Sequence, residues 1–406
     1  MRAFQHGQHA WRRCVWSASH HQAKAEAVCI PTQLLRYSRS WQCRFSSSRL
    51  LREVAPEVRA DLELFAAEQP HPVSLQQVIS TRKKASAAKF LHSEVPIRLA
   101  ERIRSLERIP DWTAVPELVE IHERLVRAFK GIRAVKRERN LVDFSRAAKE
   151  IMSLEKPGIV LAAKGLRALR DRFPDKYNAE FADRFLNNFL LNRIGTTVLV
   201  GQYLALPRGI IDPQCDPLDV CQEAARTVSL VTQKITGRRP VIRVEAHSAV
   251  EGDHEDPQFS YIPSVLQYII MELLKNSSRA TLEFAGTPAE IENRPVSVVI
   301  CADEQRVAIR VSDRARGIPF DVGKRVWSYT YTTAGEGTPL AGYGVGLPLS
   351  RLYAWYLGGS LDLVSLPGYG TDAYLFLPRI QSEQVEVVPD SDREFQTHDL
   401  MDFTVH

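Results

Sequence analysis

Four side chains draw attention by their types and spacing. Glu272, Lys275, Asn276 and Arg279 recur at steps of three and four residues, so on a helix they share one flank. Val265, Leu266, Ile269, Ile270 and Leu273 form an apolar stripe on the same stretch, and Pro263 suits a first-turn position. The predicted helix buries one face and carries a carboxylate, an amide and two cations on the other. An Asn oxygen suits a hard cation such as Mg²⁺. A Glu can orient or deprotonate a nucleophile, and Lys and Arg can meet phosphate oxygens. Taken alone, the pattern reads first as a surface helix with a Glu272–Lys275 ion pair.

Two further segments bear on that choice. Val311-Ser-Asp313-Arg-Ala315-Arg316-Gly317 places a carboxylate at a predicted strand end, followed by a turn. Such a carboxylate can accept a hydrogen bond from a purine amine, or it can satisfy its own turn. Gly342-Tyr343-Gly344-Val345-Gly346 precedes a helix predicted from Leu347 to Leu357. Glycines let a backbone approach phosphates, and a helix N-terminus adds free N–H groups and positive dipole. Seven of the chain's 21 glycines lie between 317 and 346, a concentration that reads as a lid. The glycine run does not follow a strand, which disfavours a dinucleotide fold. Gly323-Lys324 is followed by Arg325 where a Walker A motif needs Ser or Thr. The His-Arg-Asp loop of conventional kinases is absent. In order and spacing, the three segments together resemble the nucleotide site shared by gyrase, heat-shock chaperones, MutL and histidine kinases.

The elements that must hold these residues fall into two regions. From 54 to 206 the pattern is helical. Leu99, Ile103 and Leu106 repeat at helical spacing, as do Phe181, Phe185 and Phe189, and loop punctuation recurs near 70–73, 110–116, 156–158 and 174–176. Five or six helices with short connections predict an antiparallel bundle. After Pro207 strands are predicted at 241–244, 296–301, 307–311, 361–364 and 373–376, mixed with helices such as 216–236 but without a βαβ repeat. That suggests an α/β sandwich with a largely antiparallel or mixed sheet. Residues 381–406 read as a polar, loosely ordered tail.

The net charge of +5 is unevenly placed. Residues 1–52 hold nine Lys/Arg and one acid, Glu26, a balance of +8, which leaves 5 − 8 = −3 for the rest. The body is mildly acidic, so no nucleic-acid face is indicated. The first 50 residues are rich in Arg and Ser, with Arg36-Tyr-Ser38 and Arg44-Phe-Ser46 as candidate processing sites, the pattern of a mitochondrial transit peptide. No apolar run reaches transmembrane length. Cys215, Cys221 and Cys301 beyond that segment lack metal or disulfide spacing and read as three reduced thiols.

The wording is more specific still. Glu272-Leu-Leu-Lys-Asn-Ser-Ser-Arg-Ala-Thr281, Thr338 through Ala354 and Gly368-Tyr-Gly-Thr-Asp-Ala-Tyr374 closely resemble the mitochondrial 2-oxoacid dehydrogenase kinases. Phe90 through Ala100 and Arg184 through Gly195 resemble that family's N-terminal domain, and the likeness runs over about residues 70–380. It implies an α+β chain: a transit peptide at 1–50, a helix bundle at 54–206 that docks lipoyl domains, a GHKL-type ATP-binding domain at 207–380 and a tail at 381–406. It implies a matrix protein-serine kinase acting on the decarboxylating subunit of its complex, using ATP and Mg²⁺, and a homodimer joined through the nucleotide domains. Glu272 would be the general base and Asn276 the Mg²⁺ ligand. Lys275 and Arg279 are phosphate-side candidates. Asp313 would hold adenine, with Gly317 and Thr371 nearby, while Thr332, Thr333, Gly342, Tyr343, Gly344, Val345, Gly346 and Leu347 would line the phosphates.

Within the family, the wording of Thr338 through Ala354 favours the pyruvate dehydrogenase kinases. Trp355 through Leu361 pulls toward the branched-chain enzyme, and Tyr268 replaces the His typical of the pyruvate branch. The pyruvate dehydrogenase complex is the expected target, with the branched-chain complex or a weakly catalytic scaffold role as alternatives. The usual Asp-x-Gly-x-Gly carries Ala315 here, where a required positive φ would weaken ATP binding. Tyr203 replaces a bundle His, which removes a phosphohistidine route.

Overall fold

The computed structural model describes residues 54–135, 140–248, 258–331, 344–379 and Glu386. The arginine-rich leader, Thr332, Thr333, Gly342 and Tyr343 lie outside the described residues.

Seven helices precede the sheet region among the described residues: α1 (Pro56–Ala66), α2 (Leu75–Ser80), α3 (Lys84–Glu107), α4 (Pro116–Arg133), α5 (Leu141–Glu155), α6 (Gly158–Arg172) and α7 (Ala179–Ala205). The sequence pattern suggests five or six. The added one, α2, is six residues long, too short for an apolar period to show, and is held by a Ser74–Gln77 capping box. Pro96 stands inside α3 without ending it. α4 is amphipathic in the ordinary way, burying Leu118, Ile121, Leu125, Phe129 and Ile132 on one stripe. α7 differs: every residue from Phe189 to Tyr203 is buried, because α3, α5 and α6 surround it and a helix of the second region covers the rest.

The second region comprises β1 (Asp212–Cys215), α8 (Pro217–Thr236), β2 (Ile242–Ser248), β3 (Phe259–Tyr261), α9 (Pro263–Phe284), α10 (Pro288–Glu292), β4 (Val296–Ala302), β5 (Arg306–Asp313), α11 (Phe320–Gly323), α12 (Gly346–Tyr356), β6 (Ser360–Leu366) and β7 (Gly370–Pro378). The five-stranded sheet runs β2-β4-β5-β7-β6; β2 and β4 are parallel and the other pairs antiparallel. The sheet is therefore mixed, and α8, α9 and α12 pack against it. β4 alternates buried and less buried residues along its length, as a sheet covered on one face should. β1 and β3 form a separate two-stranded ribbon with no alternation long enough to reveal it. The fold is α+β, and one continuous set of buried side chains runs from the bundle through α12 into the sheet.

Candidate active site

α9 crosses the sheet with Val265, Leu266, Ile269, Ile270, Leu273 and Leu274 buried. Glu272, Lys275, Asn276 and Arg279 are half-buried on its other flank. Glu272 and Lys275 form an ion pair through the carboxylate's Oε1. Arg279 lies further along and pairs with Glu283 at 3.8 Å.

The second carboxylate oxygen of Glu272 faces the start of α12. A Cβ built on Gly346 would overlap Glu272 Oε2. This close approach means that a side chain at 346 would push the Glu272 carboxylate aside, and it sets the carboxylate against the glycine turn. Gly344 opens that turn at φ 77°, Val345 is buried beneath it and Leu347 packs on the core. Among the described residues no side-chain cap closes the N-terminus of α12, and the first N–H groups of a helix are the ones that can serve an anion.

Asp313 ends β5, opposite Thr371 on β7. Its carboxylate accepts a hydrogen bond from the Ala315 N–H at 3.1 Å and further ones from the Ser277 hydroxyl and the Thr371 backbone. Burial pushes its pKa above the ordinary 3.8, and those hydrogen bonds oppose the rise only in part. Ser277 follows Asn276 on α9, so the helix flank and the strand end meet. The Thr371 hydroxyl pairs with Ser365 at 3.0 Å. Gly317 sits at φ 66°, and a Cβ there would strike the carbonyls of Leu366 and Gly370.

The turn after Asp313 resolves the question raised by Ala315. The positive φ values fall on Arg316 (68°) and Gly317, not on Ala315. Ala315 therefore carries no left-handed strain. Arg316 is held in place by two backbone hydrogen bonds, from the Gly368 N–H to its carbonyl and from its own N–H to Tyr369, and by its guanidinium over the Phe284 ring.

Behind Glu272 lies an aromatic junction with the bundle that residue patterns gave no means of finding. The Tyr268 and Tyr353 rings meet edge to face at 5.5 Å. Burial, and then the Glu272 carboxylate, push the Tyr268 phenol up. Arg193 of α7 hydrogen-bonds Tyr353 and pairs with Glu155 at 3.3 Å. The segment leading toward residue 332 is also pinned to α7. Asp183 accepts from the Tyr329 N–H (2.9 Å) and the Ser328 hydroxyl (3.0 Å), and the Tyr329 phenol donates to Asn187 (2.9 Å). Of the other residues singled out, Cys215 and Cys221 are buried free thiols and Cys301 is an exposed one. Burial pushes Cys215 up to about 12, which makes it inert at neutral pH.

A mixed sheet under helices, with a carboxylate–amide helix facing an uncapped glycine turn, defines an ATP-binding domain of the GHKL class. Residues 262–381 match the family model described as histidine kinase-, DNA gyrase B-, and HSP90-like ATPase. Residues 72–217 match the model described as mitochondrial branched-chain alpha-ketoacid dehydrogenase kinase. Among curated relatives, a mitochondrial pyruvate dehydrogenase (acetyl-transferring) kinase isozyme 4 of Ictidomys tridecemlineatus is 30% identical over 82% of this chain and 87% of its own. The mitochondrial pyruvate dehydrogenase kinase of Ascaris suum is 31% identical over 85% and 92%, and that of Drosophila melanogaster 29% over 81% and 86%. The chain belongs to the family of mitochondrial 2-oxoacid dehydrogenase kinases. It is a kinase that uses ATP.

Proposed function

We propose that the chain is a matrix protein-serine kinase that transfers the γ-phosphate of ATP to the decarboxylating subunit of the pyruvate dehydrogenase complex and thereby inactivates it. The observation that supports this reading is the close approach of Gly346 to Glu272 Oε2, because a proton acceptor there would stand beside the turn read as the triphosphate site. Phosphoryl transfer needs mainly positioning and charge neutralisation, and both are on hand. Asp313, with Thr371 beside it, anchors adenine. The free N–H groups of Gly344 to Leu347 bind phosphate oxygens, joined by Thr332, Thr333, Gly342 and Tyr343. Lys275, whose ammonium reaches Glu272 Oε1, has phosphate oxygens as alternative partners once ATP is bound, and Arg279 extends the cationic flank. The serine hydroxyl gives its proton to Glu272 Oε2 as its oxygen attacks the γ-phosphorus, and ADP leaves.

The donor set suits magnesium. Among the described residues no cluster of three acidic, His or Cys side chains could hold a metal. A single neutral Asn276 oxygen is the protein share expected of an ion carried mainly by phosphates and water. Mg²⁺ held there would neutralise triphosphate charge. The bundle docks the complex through lipoyl domains, and the kinase works as a homodimer joined through its nucleotide domains.

The test is transfer of radiolabelled phosphate from ATP to purified pyruvate and branched-chain dehydrogenase complexes side by side. Label is expected on serines of the pyruvate enzyme. Label confined to the branched-chain enzyme would reassign the substrate. Glu272→Gln should lower transfer by about 10²–10⁴-fold while ATP still binds; a variant with full transfer would remove Glu272 from the base role.

A further inference from the structure

Glu386 lies in the stretch that sequence composition assigns to a loose polar tail, yet its side chain is 4% exposed. It reaches three separate places. Arg98 of α3, itself 2% exposed, holds both carboxylate oxygens, one through Nη1 at 3.0 Å and the other through Nη2. Val73, ahead of α2, donates its N–H to Oε1 at 3.1 Å and accepts the Glu386 N–H at 2.9 Å. Tyr356, at the C-terminal end of α12, donates its phenol to Oε2 at 2.6 Å. A buried carboxylate is tolerated when it is paired and fully hydrogen-bonded, and Arg98 with Val73 already does much of that. The bond to Tyr356 differs because it ties the bundle to the nucleotide domain.

α12 makes that bond matter. The helix is 11 residues long, a rigid rod of about 16 Å. Its N-terminal end presents Gly346 to Glu272 and its C-terminal end is fastened to Glu386. Between the two it packs on α7, α9 and β6. A shift at the fastened end is carried along the rod to the phosphate-facing turn.

We infer that Glu386 is a positioning residue for the nucleotide site: it fixes the C-terminal end of α12 against the bundle and thereby sets where the helix presents its glycine turn. This rests on reading Gly344 to Gly346 as the phosphate turn. It requires only that ATP binds there, not that any particular dehydrogenase is phosphorylated.

The experiment measures Mg-ATP affinity and melting temperature in the full-length chain for Tyr356→Phe, Glu386→Gln and the double variant. Tyr356→Phe keeps the Arg98–Glu386 pair and cuts the link to α12, so it should fold. Each single change should weaken ATP binding about five- to tenfold, the scale of one ordinary net hydrogen bond. The double variant should be no weaker than the weaker single one, because both act through one bond. Wild-type affinity in Tyr356→Phe, with Glu386→Gln altering the melting temperature alone, would reduce Glu386 to a structural ion pair. Additive losses in the double variant would also overturn the proposal, as would a wild-type chain that binds no ATP. ATP binding that responds to Tyr356→Phe, with no phosphate reaching either dehydrogenase, would instead sink the kinase assignment and leave this one standing.

Discussion

In the proposed reading, where Asp313 holds adenine, a single buried carboxylate would couple binding to pH. Its pKa in the folded chain lies above the ordinary 3.8 because burial disfavours the charged form. The folded state therefore holds the proton more tightly than the unfolded one. The stability this contributes is fully present below pH 3.8 and is lost as pH rises through the raised value. Nucleotide binding runs the other way, since only the ionised group freely accepts a hydrogen bond from adenine. ATP affinity should fall on acidification with a midpoint above 3.8, and Asp313→Asn should flatten that dependence while binding ATP weakly throughout. Titrating ATP affinity against pH in both proteins tests this; identical profiles would take Asp313 out of the adenine contact. Ser277 belongs at this scale too. The neighbouring residues Asn276 and Arg279 mark the polar flank of α9 in the sequence, whereas Ser277 is a small polar residue whose contact with Asp313 appears only once β5 is seen beside it.

At the scale of elements, two glycines predict opposite outcomes for the same substitution. Gly317 needs its left-handed φ, and a Cβ would meet backbone carbonyls of Leu366 and Gly370 that cannot move aside. Gly317→Ala should cost about 1–3 kcal/mol of stability, seen as a lower melting temperature. Gly346 is helical, and its Cβ would meet the far end of the Glu272 side chain. Gly346→Ala should leave stability within about 1 kcal/mol of wild type while displacing Glu272, with transfer down by about tenfold or more. Equal melting temperatures for the two variants would contradict this division. The strands β4 and β5 were legible from β-branched residues at alternate positions, Val296, Val298 and Ile300 and then Val307, Ile309 and Val311, whereas β6 and β7 showed only short apolar alternation, Leu361 with Leu363 and Ala373 with Leu375. β1 and β3, at four and three residues, offer no period to read, and neither does α2.

Over the whole molecule, buried charge marks where the bundle's helices meet. Glu155 of α5 is 4% exposed and receives Arg102 of α3 and Arg193 of α7, the latter at 3.3 Å. Removing the shared carboxylate strands two buried cations, whereas removing either arginine strands none. Glu155→Gln should therefore destabilise the chain by about 3–5 kcal/mol, more than Arg102→Met does, as read from denaturant unfolding. A loss below about 1 kcal/mol would mean the cluster is solvated in solution. Through Arg193 and Tyr353 this cluster abuts the aromatic pair behind Glu272, so the bundle supports the site as well as standing beside it.

The sequence alone pointed to the α+β class, to a sheet either largely antiparallel or mixed, and to the residues that share the polar flank of α9. Those features depend on local periodicity, on helix and strand propensity and on short glycine runs, all written in neighbouring residues. It also pointed to the kinase family through wording spread over most of the chain. What the tertiary structure decided is contact between segments far apart in the chain. The parallel pairing of β2 with β4 settled the sheet as mixed. The tertiary structure also put Glu272 against Gly346 and Ser277 against Asp313, moved the positive φ from Ala315 to Arg316, and buried Glu386 beneath Arg98 and Tyr356. A side chain 288 residues from its partner leaves no periodic trace, because the pairing is selected by the closed core and not by the residues on either side.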